Sequence, residues 1–247
     1  MPHFAVYFKY MGIVIVLLGI LPGIVWLLFY LREDTDKEPA KEIFFAFLAG
    51  TGITVIVLGF QYLFNDLARL AAIKDYSLLS LLGLAAIEEF FKFGATFLLI
   101  SRSRYFDAPV DAMIYMIVVA LGFATVENIG ALESQLRETA ILSSLVGTAT
   151  LRFVGATLLH TLASALVGYY WARGIIANKL LKYLSIGLVL ATGLHTAFNY
   201  LIVRYEEQVI FPVLLLVIAA FFILNDFERL KHPDERGLRA LKEGAER

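Results

Sequence analysis

The chain has 247 residues, 60% of them hydrophobic and only 17% charged, against roughly 25% charged in an average soluble domain. The formal net charge of −1 leaves no global field for nucleic acid, and the absence of cysteine excludes disulfides, thiolate metal ligands and a cysteine nucleophile. What remains is an integral membrane protein, read as an all-α polytopic bundle.

Apolar runs of about twenty residues are long enough to cross a ~30 Å hydrocarbon core. About seven transmembrane helices are predicted, near 11–31, 42–64, 77–100, 110–131, 146–172, 180–203 and 208–224. The first, from Gly12 to Leu31, is too long for a signal-peptide core and lacks a small-x-small cleavage site, so a retained span is expected. Residues 1–224 read as one helical membrane domain and residues 225–247 as a charged cytoplasmic tail. Lys and Arg number five on the side of the N-terminus and the second, fourth and sixth loops, and fourteen on the other. That excess predicts an external N-terminus and a cytoplasmic C-terminus.

The third run carries Glu88, Glu89 and Lys92 near its centre. An ionised side chain costs at least ~2.5–3.5 kcal/mol at mid-bilayer, so three of them together need a reason. Lys92 follows Glu89 by three residues and Glu88 by four, so a Glu–Lys pair offsets part of the burial cost. The other carboxylate is then free to take or give a proton. The bland alternative is an ion pair that only locks helices together.

The fourth run leads from Asp111 through Tyr115 and Gly122 to Glu127-Asn128, with Ala120-x-Gly122-x-Ala124 allowing close helix approach. Arg152, at the start of the fifth run, is a plausible structural partner for Glu127. The fifth run holds His160 at mid-depth, with Ser164 read as packing. The sixth holds His195 one turn before Asn199. A single buried histidine is more often a satisfied core residue than a ligand, but two of the four histidines fall at mid-membrane. Counted at 1.5 Å per residue, Glu127 lies on the order of 10 Å outward of its span centre. Arg152 and Asn199 are displaced the same way, so the polar lining runs from mid-membrane toward the outside.

Such groups suit peptide hydrolysis, which needs an activated water, a base and donors for the developing oxyanion. Two histidines and a glutamate also form a three-ligand zinc set with an open position. The spacing permits both.

Glu88-Glu89-x-x-Lys92, Asp111, Tyr115, Gly122-Phe123-Ala124-x-x-Glu127-Asn128, His160 and His195-x-x-x-Asn199 together resemble the PrsW family of intramembrane proteases, over roughly residues 77–203. That family is similar to the CAAX prenyl endopeptidase and bacteriocin-processing group. Where the family pattern has glycine after Asp111 and after Tyr115, this chain has Ala112 and Met116, which argues against close packing there.

The resemblance implies an endopeptidase acting on membrane-anchored proteins, with site-1 cleavage of an anti-sigma factor as its best-known role. It implies Glu88 activating water with His160, Glu89 in support, and His195 with Asn199 stabilising the oxyanion. Lys92, Glu127 and Asn128 stand behind them. A metalloprotease would place zinc on His160, His195 and Glu89, whereas the prenyl-protease relatives work without a catalytic metal. The partners expected are the lipid bilayer and a protein substrate. The alternative from another class is a proton-coupled transporter or channel using the same buried cluster, although no inverted repeat is visible.

Overall fold

A computed structural model describes residues 2–32, 37–139, 141–205 and 208–231. Every secondary-structure element among them is helical. This follows from the solvent: in hydrocarbon each backbone N–H and C=O needs an internal partner, which a helix supplies within one segment. The helices are α1 (Pro2–Tyr30), α2 (Ala40–Leu70), α3 (Leu78–Ile100), α4 (Asp111–Thr139), α5 (Leu142–Arg152), α6 (Leu158–Ile176), α7 (Leu180–Arg204) and α8 (Ile210–Lys231). A π-helical turn, Phe153–Thr157, joins α5 to α6, so those two form one rod and the bundle has seven.

Six rods are long and apolar enough to cross a membrane. The seventh, α3, has 23 residues, about 34 Å at helical rise. It carries the three charged residues Glu88, Glu89 and Lys92, all turned inward and buried. The expected polytopic helical membrane protein is what the chain forms. α8 continues as helix through Lys231, with Phe227 and Leu230 buried; the part of the expected tail from residue 232 onward lies outside the described residues.

Helix α4 is the axis of the bundle. Nearly every side chain from Val110 to Ala124 is buried, and α1, α2 and α6 pack along it. The outer rods show lipid the opposite surface: Leu17 and Leu21 of α1, Leu98 of α3 and Phe221 of α8 are exposed. Exposed leucine costs nothing where the solvent is itself apolar, so the burial pattern is inverted for polar residues only.

Close approach depends on glycine at the α2–α4 crossing. A Cβ on Gly122 would lie 2.0 Å from the Phe47 carbonyl oxygen, and one on Gly50 would lie 2.0 Å from that of Val119. The small-residue stretch expected to permit contact does so through Gly122. Nearer the N-terminus of α4, Ala112 and Met116 are fully buried despite lacking the family's glycines. The glycine comes from the partner helix: a Cβ on Gly168 of α6 would meet the Ala112 oxygen at 2.5 Å.

Local signals set the helix ends. Ser77 Oγ accepts from Ser80 N at the start of α3, an N-cap that satisfies one free amide. Asp111 Oδ2 accepts from the amides of Asp107 and Ala108, fixing the entry into α4. Tyr115 donates to Glu38 Oε2 at 2.6 Å, tying the α1–α2 connection to α4. Asp111 and Tyr115 therefore serve this end of the bundle; Glu127 is ~18–24 Å further along the helix.

Candidate active site

Five helices, α2, α3, α4, α6 and α7, surround one buried cluster of ionisable groups. Three neighbouring positions of α3 present Glu88, Glu89 and Lys92 on its inward face, α4 brings Glu127 and Asn128, α6 brings His160, and α7 brings His195. All of these except Glu127 are buried. Every residue expected from the sequence to take part is in or beside this cluster.

The two adjacent glutamates have different surroundings. Glu89 Oε1 accepts from Lys92 Nζ at 2.6 Å, with neither side chain exposed, and lies 2.8 Å from His195 Nδ1. Glu88 Oε1 accepts from Gln61 Nε2 of α2 at 2.8 Å, while Glu88 Oε2 has no hydrogen-bond partner among the described residues. Around that oxygen stand His195 Nε2 at 3.7 Å and His160 Nδ1 at 3.9 Å. The outer nitrogen of His160, Nε2, meets Glu127 Oε2 at 2.8 Å. Lys92 Nζ also lies 3.3 Å from His160 Nδ1. The rings of His160 and His195 meet edge to face, with centroids 5.1 Å apart.

Each histidine thus has one nitrogen on a carboxylate and the other on the side of Glu88 Oε2, that of His160 being shared with Lys92 Nζ. Ligand atoms of Glu88, His160 and His195 all come within 4.8 Å of one another. Glu89, the carboxylate expected above as a candidate zinc ligand, lies 2.8 Å from His195 Nδ1 and outside that trio.

A second layer connects the cluster to a cavity. Arg152 reaches Glu127 Oε2 at 3.4 Å and donates through Nε to Asn128 Oδ1 at 2.6 Å. Asn128 in turn donates to Thr157 Oγ1 at 3.0 Å. The expected Glu127–Arg152 bridge is present, and it is joined to a buried amide network.

The π turn makes this possible. Residues eight apart on an α-helix differ by about 80° around the axis, and one extra residue wound into a π turn takes back about 100°. Arg152 and His160 then share a face to within about 20°, and both reach Glu127. Trp26 Nε1 donates to the Phe153 carbonyl at 3.0 Å, meeting a carbonyl of the irregular turn. No residue type in 153–157 announces a π turn, so the sequence reading passed over it. Gln61 was also missed; its only signal was a lone amide in an otherwise apolar stretch.

The cavity has a volume of about 470 Å³ and is lined by Glu88, Glu127, Arg152, His160, His195 and Asn199, with apolar walls from α2 and α4. Ser164, one turn beyond His160, is buried with its Oγ unpartnered among the described residues, away from that lining.

A seven-rod membrane bundle with a buried Glu/His/His centre open to one polar cavity defines the class: an intramembrane hydrolytic enzyme. The chain matches the PrsW family of intramembrane metalloproteases over residues 38–225 and belongs to that family. It is similar to Protease PrsW of Geobacillus kaustophilus, 29% identical over 191 residues that cover 76% of this chain and 80% of the relative. Protease PrsW of Bacillus subtilis is 25% identical over 86% of this chain and 94% of its own length. That of Oceanobacillus iheyensis is 26% identical over 88% and 94%. No solved structure matches the chain. The protein is therefore a peptidase embedded in the membrane, with a protein as its substrate.

Proposed function

We propose that Glu88, His160 and His195 form the reactive centre of an endopeptidase that cuts membrane-anchored proteins, drawing water and substrate from the cavity edged by Glu127, Arg152 and Asn199. The observation that carries this reading is the common disposition of the two histidines, each backed by a carboxylate and facing Glu88 Oε2. When the carboxylates take the ring N–H groups, the inward nitrogens present lone pairs. Three acceptors then converge on one point, with the Lys92 ammonium 3.3 Å from His160 Nδ1; a cation or shared proton is held there once Lys92 turns wholly to Glu89.

The residues fit zinc. Their separations of 3.7 and 3.9 Å are too long for hydrogen bonds and close to the ~3.3 Å between neighbouring ligands at ~2.0–2.1 Å from a tetrahedral ion. Two nitrogens and a carboxylate oxygen suit zinc chemically, and carboxylates behind the histidines are the usual outer support. Glu88, His160 and His195 would hold the ion, with Glu89 orienting His195 and Glu127 orienting His160. When bound, zinc supplies an acidified water and polarises the peptide carbonyl.

The remaining steps belong to the chain. Hydrolysis forms a bond from water oxygen to the carbonyl carbon, breaks the C–N bond, and moves a proton from water to the leaving amine. Glu127, a quarter exposed at the cavity, is the carboxylate placed to carry that proton. Arg152 and Asn199 supply donors at the mouth where the carbonyl oxygen gains charge. Lys92 neutralises Glu89, which keeps Glu89 a fixed acceptor for His195.

The substrate class is a single-span membrane protein, and an anti-sigma factor cut at its first site is the particular candidate that the family resemblance suggests. The Lys/Arg asymmetry supports placing the end with the α2–α3, α4–α5 and α7–α8 turns outside, so that cleavage is extracytoplasmic. The test is membrane proteomics of the native host carrying a chromosomal Glu88→Gln allele. Full-length single-span proteins should accumulate while their fragments vanish. No such accumulation, with the variant present at wild-type level under inducing conditions, would refute the reading.

A further inference from the structure

A second cavity, about 510 Å³, adjoins the catalytic one and shares Arg152, Ala156 and Asn199 with it. Its other walls are mostly apolar, with Val154 and Gly155 of the π turn, Phe198 and Ile202 of α7 and Val213 of α8, beside Thr150 and Tyr205. Val154 and Ile202 are each more than 40% exposed, so the groove opens on the face that lipid covers. It lies toward the end of the bundle that carries the α7–α8 turn, with Asn199 only ~7 Å along the helix from Arg204.

We infer that this groove is the lateral entry and binding site for the substrate's membrane segment, which passes between the π turn and the α7–α8 pair in extended form and lays apolar side chains along Val154, Ile202 and Val213. The inference rests on the peptidase reading above. Three observations fix the occupant. The groove borders the cavity lined by Glu88, His160 and His195, with Arg152, Ala156 and Asn199 in both linings. Its walls match the apolar side chains of a membrane segment.

Its inner end is polar, and this third feature separates a peptide from an acyl chain. A segment unwound for cleavage exposes backbone N–H and C=O groups that hydrocarbon cannot satisfy. Arg152 and Asn199 stand where the two linings meet, and the Asn199 side chain of α7 has no hydrogen bond to another described side chain. Its amide can both donate to and accept from an extended backbone. Gly155 lets the π turn pack close to α7 in the wall of the groove, since a Cβ there would already stand 3.2 Å from the Phe198 ring. The groove therefore selects for segments that unwind readily and carry aliphatic side chains beside the scissile bond.

The experiment uses the full chain with Glu88→Gln and a photocrosslinking p-benzoylphenylalanine at Ile202 or Val213. Controls carry it at Val189, on the exposed outer face of α7, and at Leu58 of α2, the opposite rim of the catalytic cavity. The probe is the tagged single-span protein that accumulates in the Glu88→Gln host. Crosslinks to it from positions 202 and 213 and none from 189 are expected. Crosslinks from Leu58 alone, or only to lipid at 202 and 213, would overturn the proposal. As an independent measure, Ile202→Trp and Val213→Trp should each raise KM for the probe at least tenfold with zinc content unchanged. Unchanged KM in both folded variants would equally overturn it. If no host protein accumulates at all, the peptidase reading has failed first and this inference falls with it.

Discussion

Lys92 Nζ lies 2.6 Å from Glu89 Oε1 at the centre of the bundle, and neither side chain has any exposed surface. The pair gives the two adjacent glutamates different surroundings. Glu89 is neutralised and holds His195, leaving Glu88 Oε2 to face the histidines. Removing one partner of a buried pair strands the other charge, at about 3–5 kcal/mol. Lys92→Met should therefore lower the thermal midpoint of the detergent-solubilised protein sharply, and the double variant Lys92→Met/Glu89→Gln should recover much of the loss. Equal destabilisation by single and double variants would show that the pair is not the source.

Metal content tests the ligand set directly. The purified protein should carry close to one zinc per chain, and Glu88→Ala, His160→Ala and His195→Ala should each lose most of it. Glu89→Gln should keep a greater share, because Glu89 supports a ligand and is not one. Elemental analysis after dialysis reads this without any substrate. Retention of zinc by all three alanine variants would remove the proposed site.

Arg152 spans Glu127 and Asn128 from a partly exposed position, so its role is expected in turnover more than in stability. Arg152→Met should lower kcat by tenfold or more with a small shift in melting temperature. Arg152→Lys should not rescue it, because one ammonium cannot reproduce the planar fork that reaches both partners. Rescue by lysine would reduce Arg152 to a simple counter-charge.

Packing at the α2–α4 crossing gives a prediction remote from the chemistry. Gly122→Ala would place a Cβ 2.0 Å from the Phe47 carbonyl oxygen, and overpacking of this kind costs about 1–3 kcal/mol or more. Gly94→Ala is the control, since its Cβ would meet nothing within 4 Å. A melt of both variants should show loss at Gly122 only.

Gln61 donates to Glu88 Oε1 from α2. Gln61→Leu should leave that oxygen unpartnered and the carboxylate free to rotate, so kcat should fall several-fold while zinc is retained. Unaltered turnover would mean that the histidines alone orient Glu88.

The chain's composition and its seven apolar runs determined the all-helical membrane bundle. Uninterrupted runs of about twenty apolar residues fit a spanning helix, which satisfies its own backbone, and are too long and unalternating for barrel strands. The residues of the candidate site were legible for the same reason. Glu88, Glu89, Lys92, His160 and His195 stand out because charge and imidazole are costly at mid-bilayer. The Glu127–Arg152 bridge was legible as a pairing of opposite charges displaced toward the same end.

Tertiary structure decided the roles. Spacing allowed Lys92 to pair with either glutamate, and only the positions of α6 and α7 showed that Glu89 takes Lys92 and His195 while Glu88 meets both inward nitrogens. The π turn that aligns Arg152 with His160 depends on the fit of α5 and α6 against α1 and α4, where Trp26 meets the Phe153 carbonyl, and has no local residue signature. Gln61 likewise acquires its meaning from the packing of α2 against α3. Burial cost is a property of each residue and its segment, so it can be read along the chain. Which donor meets which acceptor across helices is set by their rotation and approach, and only the folded bundle fixes those.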